Sequence, residues 1–224
     1  MKQNIKAFKP NSELSSEKNL QKLIENAKHN LTVFSENSWE DNIWRTNRGT
    51  RRVVARFSSN VKQNNSYSFT PLSMPMLEFS KSFIKQLYSE KPVANVQWKL
   101  DALRIVEEAL LSIKGNSNIL ELDGRVLLKI TSILTERKNP VISKCNTGKN
   151  LEHIFEFLRK NFITPSLPVW SSPYKKPKDL SISLDKNGVE HRSNKLPSDE
   201  VMMLMADLFH RGPSLSVEAE YFSA

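Results

Sequence analysis

Apolar residues recur at helical spacing through the middle of the chain. Met76, Phe79, Phe83 and Leu87 lie three or four positions apart, so one face of a helix over 74–89 carries them. Ser73 and Pro75 mark its start, and Pro92 forbids its continuation. Val96, Leu100, Leu103, Val106, Leu110 and Ile113 predict a second helix over 94–114, stopped by Gly115. A third is predicted over 124–136, with Asp123 as N-cap, Val126, Leu127, Ile130, Ile133 and Leu134 inward, and Pro140 just past its end. Leu151, Ile154, Phe155, Leu158 and Phe162 predict a fourth over 148–162. Four such stripes close one small core, so the expected fold class is mainly α, with a four-helix bundle at its centre.

The flanks read differently. Residues 1–12 are polar, and 16–29 carry a weak helix with Leu20, Leu23, Ile24 and Ala27 on one face. Residues 43–77 contain Arg45, Arg48, Arg51, Arg52, Arg56 and Lys62 without one Asp or Glu. Trp44, Phe57, Tyr67 and Phe69 are interleaved with them. Gly49 suits a turn, and Arg51 to Phe57 has the β-branched and aromatic content of a strand, so one short hairpin is expected in an otherwise irregular segment. After Ile163, Pro165, Pro168, Pro173 and Pro177 keep a connector extended, with Trp170 as an anchor and Lys175, Lys176 and Lys178 as its charge. Ser181 to Leu184 reads as a strand running into a turn at Gly188. A last helix, 198–211, presents Val201, Leu204, Met205 and Leu208 and is cut off by Gly212 and Pro213. The organisation is thus a basic arm region over 1–72, a helical domain over 73–163, a Pro- and Lys-rich connector over 164–196, and a further segment over 197–224.

Charge narrows the partners. The 224 residues carry a net +9, which favours an acidic partner such as nucleic acid. Only 6 glycines are present, which leaves little scope for a glycine-rich phosphate cradle. Cys145 is the single cysteine, so an intrachain disulfide and a Cys-based zinc site are both excluded. The N-terminus has no apolar run of signal-peptide length, and no membrane span is apparent; a cytoplasmic location is expected.

Candidate chemistry is sparse. The histidines, His29, His153, His191 and His210, stand in no His-x-x-Arg or His-x-x-x-His context, and there is no Gly-x-Ser-x-Gly. His153 reads as a solvated surface residue. No catalytic set, metal site, cofactor or small-molecule substrate is expected. Met202, Met203 and Met205 fit either a partner groove or packing on an adjacent domain. The arginines over 43–77 are the strongest signal. Cations without acidic competitors can reach phosphates, and arginine adds bidentate geometry. Their interleaved aromatics either pack or stack on bases. On the 94–114 helix, Asn95, Trp98, Lys99 and Ala102 form the face opposite the apolar stripe, and Lys149, Asn150, His153 and Lys160 do so on the fourth helix. Such helix faces suit a major groove.

The order of these elements resembles the N-terminal half of a tyrosine site-specific recombinase, or phage integrase. The Trp- and Arg-bearing arm NIWRTNRGTRRVVARF, the pair LEFSKSFIKQLY and VQWKLDALRIVEEAL, then TGKNLEHIFEFLRKNFI and NKLPSDEVMMLMADLF carry it over roughly 40–210. The resemblance implies a core-binding domain over 73–163 that clamps one face of double-stranded DNA. It also implies other recombinase protomers as partners, and a catalytic domain beginning at 197–224. In that family an Arg, a Lys, a His-x-x-Arg pair and a nucleophilic Tyr cleave the strand; this sequence contains no His-x-x-Arg, so no catalytic residue is carried over. The expected DNA-binding set is Arg45, Arg48, Arg51, Arg52, Arg56, Lys99, Lys149, Asn150, Lys160, Lys175, Lys176 and Lys178. Two other readings stand beside this one: a stand-alone helical DNA-binding accessory or regulatory protein, and a helical protein-interaction module.

Overall fold

The computed structural model describes residues 8–48, 51–63, 66–92, 95–175 and 197–215. The protein is mainly helical. In chain order it forms α1 (Ser16–His29), β1 (Ile43–Arg48), β2 (Arg51–Arg56), β3 (Ser58–Gln63), β4 (Ser66–Pro71), α2 (Met76–Glu90), α3 (Gln97–Lys114), a 3-10 turn at Ile119–Glu121, α4 (Gly124–Glu136), α5 (Val141–Lys160) and α6 (Asp199–Leu215). The chain divides into two compact units, Met1–Lys175 and Lys176–Ala224.

In the first unit the predicted stripes become one core. Met76, Phe79, Phe83 and Leu87 of α2 are buried, as are Val126, Leu127, Ile130, Ile133 and Leu134 of α4 and Leu151, Ile154, Phe155 and Leu158 of α5. Leu100, Leu103, Val106 and Leu110 of α3 are buried likewise, as is its N-cap Val96, but Ile113 is exposed. Leu20, Leu23 and Phe34 join the same cluster, together with Trp44, Val53 and Phe57. Because α1 packs on α2, the face of α2 that a two-sided helix would show to water is covered: Ser80, Lys81, Ser82, Lys85 and Gln86 are all buried.

Local signals set most boundaries. Asp123 caps α4, accepting the Val126 N–H at 3.0 Å and the Lys114 ammonium at 2.7 Å. Gly115 ends α3 with φ +72°, a left-handed value that costs glycine nothing. Ser73 donates through both N–H (2.6 Å) and Oγ (2.7 Å) to Glu107, tying the entry of α2 to α3.

Four expectations change. Helix α5 begins at Val141, seven residues before the predicted start, and Pro140 is its N-cap rather than a trailing stop for α4. The face missed by counting large apolar residues is continued by small ones, Cys145 and Gly148, both buried. The 43–77 segment holds two hairpins rather than one: β1 pairs with β2 and β3 with β4, each antiparallel with a two-residue connection. The last helix runs through Gly212 and Pro213 to Leu215. The connector's beginning is strapped down: Trp170 meets Phe155 edge-on at 5.5 Å and donates its indole N–H to Thr131 Oγ1 at 3.0 Å. The Ser172 N–H donates to Glu152 at 2.8 Å. The expected strand at Ser181 to Leu184 lies outside the described residues.

In the second unit, Val201, Met202, Met203, Leu204, Met205, Leu208 and Phe209 of α6 are all exposed. No helix of the described residues is long and apolar enough to cross a membrane.

Candidate nucleic-acid interface

The β1–β2 register sorts its residues onto two faces. Trp44 opposes Ala55 and Thr46 opposes Val53. Trp44, Val53 and Ala55 are buried. The alternate positions, Arg45 opposite Val54, Asn47 opposite Arg52 and Ile43 opposite Arg56, form the outer face. Arg45, Arg52 and Arg56 are exposed there, and among the described residues none enters an ion pair. Arg52 and Arg56 stand four residues apart, about 13 Å at ~3.3 Å per residue. Arg48 and Arg51 are the last register partners of this pair of strands.

Two side-chain amides fix this hairpin. Asn37 mimics a neighbouring strand: its Oδ1 accepts the Arg45 N–H at 2.8 Å and its Nδ2 donates to the Arg45 carbonyl at 2.8 Å. Gln97 Oε1 accepts the Arg56 N–H at 3.1 Å, joining the hairpin to the first residue of α3. Two of the interleaved aromatics pack. Trp44 and Phe57 are buried with ring centroids 4.8 Å apart, which withdraws both from base stacking.

One residue beyond Gln97 begins a groove of about 610 Å³ between the N-terminal halves of α3 and α5, lined by Trp98, Asp101, Arg104, Arg137, Asn146 and Asn150 among others. Trp98 is 54% exposed. The Arg104 guanidinium buries one nitrogen, Nη2, that finds no hydrogen-bond partner. Burial lowers the Arg104 pKa, opposed by Glu107 and Asp101. Arg137 is held by Glu108 at 2.8 Å, and Asn150 Nδ2 donates to the Asn146 carbonyl at 2.9 Å.

The structure treats the other expected residues unequally. Lys149 and Lys175 are exposed. Lys160 is paired with Glu156 at 2.6 Å. Lys176 and Lys178 lie outside the described residues. Lys99 is half-buried beside α5: its charge helps to lower the His153 pKa, and desolvation lowers its own from 10.5 to about 8. Ala102 is fully buried, so it belongs to no wet face. His153 is not a solvated histidine either. Its Nδ1 is buried without a partner, and desolvation, followed by the Lys99 charge, lowers its pKa.

Arg104, Arg137 and Asn146 escape a residue-by-residue reading. Helical spacing offered one signal: Asp101 and Ile105 follow Trp98 at i+3 and i+7, so the groove lies one position round from the Lys99–Ala102 row. No protein-family model, curated protein or solved structure matches the chain significantly.

Proposed function

We propose that the first unit binds duplex DNA as the core-binding part of a tyrosine-recombinase-like site-specific recombinase, with α2–α5 as a four-helix bundle laid on one face of the duplex. The observation that carries the reading is the outer face of the β1–β2 hairpin. Three exposed arginines share it without an acidic partner among the described residues, on a backbone locked by Asn37 and Gln97. Rigid, uncompensated arginines suit phosphate contacts that set position rather than sequence. The adjoining groove adds what can approach a base edge: Trp98, Asn146 and Asn150 in reach of Arg104 and Arg137. A net charge of +9 supports the same partner.

A salt titration of duplex binding tests this. Affinity for any duplex falls steeply with salt, and Arg45→Gln, Arg52→Gln and Arg56→Gln together reduce the log–log slope by roughly 3, about one for each lost phosphate contact. No measurable binding at ~50 mM salt, on the scale of that principle, refutes the proposal.

A further inference from the structure

Beneath the α1–β1 loop, a second, smaller cavity of about 290 Å³ is lined by Lys28, Thr32, Ser35, Trp39, Trp44 and Lys85 among others, and by no acidic residue. Lys85 is the unusual member. It is only 7% exposed, yet no described residue pairs with its ammonium. Its ammonium stands over two rings, with the centroids of Trp39 and Trp44 at 5.9 and 5.8 Å from Nζ. The two other lysines around these rings are satisfied. Lys28 pairs with Glu78 at 2.7 Å, and Lys81 donates to the Trp39 carbonyl. Glu78 is occupied further by the Trp39 indole N–H at 2.7 Å. One positive charge is therefore left over at this cavity. Desolvation alone lowers the Lys85 pKa, with no carboxylate raising it. A cation held largely away from water without a counter-charge is costly, and a mobile anion relieves that cost. The hydroxyls of Thr32 and Ser35 line the same space and can donate to such an anion.

We propose that this cavity binds an oxyanion of the phosphate type, with the Lys85 ammonium as its charge partner and Thr32 and Ser35 as hydrogen-bond donors. The anion is either free or a phosphate of a nucleic-acid backbone, since both present the same tetrahedral oxygens. The site stands on Lys85 and its cavity, independently of the DNA reading.

The experiment is thermal unfolding of the full chain in sodium phosphate and in sodium chloride at matched ionic strength, with duplex affinity measured in parallel. Saturating phosphate raises Tm by roughly 2–5 °C over chloride. Lys85→Gln abolishes the difference. Thr32→Glu, an exposed substitution at the cavity mouth that spares the core, abolishes it as well and keeps the test decisive should Lys85→Gln fail to fold. Unchanged duplex affinity in Thr32→Glu assigns the site to free phosphate; weakened affinity assigns it to a backbone phosphate. Equal stability in the two salts, or a phosphate response retained by Thr32→Glu, overturns the proposal, whether or not the chain binds DNA.

Discussion

Lys99 and Gly148 show how one position can answer to two neighbours. The Lys99 pKa lies near 8 in the fold against 10.5 for the unburied side chain. Between those values the unfolded chain binds more protons, so this residue makes stability rise with pH there, while below pH 8 the full cost of holding the charge is present. Lys99→Met therefore stabilises the protein at pH 7, and the gain fades as pH approaches 10. Denaturant unfolding at pH 7 and pH 9.5 measures it, and an equal gain at both contradicts the assignment. Gly148 is constrained by space rather than charge. A Cβ there meets Ser172 Oγ at 2.1 Å and Ser172 Cβ at 2.6 Å. Gly148→Ala must push the connector off α5 and costs about 1–3 kcal/mol. Loss of stability accompanied by a change in Trp170 fluorescence is the expected signature.

Among the elements, the β1–β2 hairpin and the stretch from Ile163 to Lys175 behave as parts of the helical unit. Trp44 of β1 is packed among Phe34, Trp39 and Phe57. Trp44→Ala removes a fully buried ring and costs about 3–5 kcal/mol, and the paired arginine face is lost with the hairpin. Trp170→Phe is milder. It keeps the edge contact with Phe155 and forfeits the bond to Thr131, for about 1 kcal/mol in denaturant unfolding. Most of the helical elements were legible from spacing, because large apolar residues at i, i+3 and i+4 leave little choice of secondary structure. The start of α5 was not, since Cys145 and Gly148 carry its buried face without contributing apolar bulk. The second hairpin was also illegible. Ser58–Gln63 is nearly all polar and lacks the alternation that announces a strand, so the alternating Ser66–Pro71 had no visible partner to pair with.

At the scale of the molecule, a single hydrophobic cluster runs from Leu20 to Leu167 within Met1–Lys175. Residues 1–175 produced alone are expected to unfold in one cooperative transition, and removal of residues 1–30 to destabilise α2 by uncovering Lys81, Ser82 and Gln86; calorimetry of the two fragments distinguishes these outcomes. The sequence by itself determined the helical class, the places of α2, α3 and α4, the Asp123 and Gly115 signals, and the concentration of arginine in an acid-free segment. These are local properties, written in spacing and in the chemistry of a few adjacent residues. Tertiary structure alone decided which cations remain available. Arg45, Arg52 and Arg56 were left outward by the pairing register, Lys160 was matched to Glu156, Lys99 was half-buried beside α5, and Lys85 was set over Trp39 and Trp44 without a partner. A charge's partners and its access to water depend on residues distant in the chain, and spacing along one helix or strand carries no record of them.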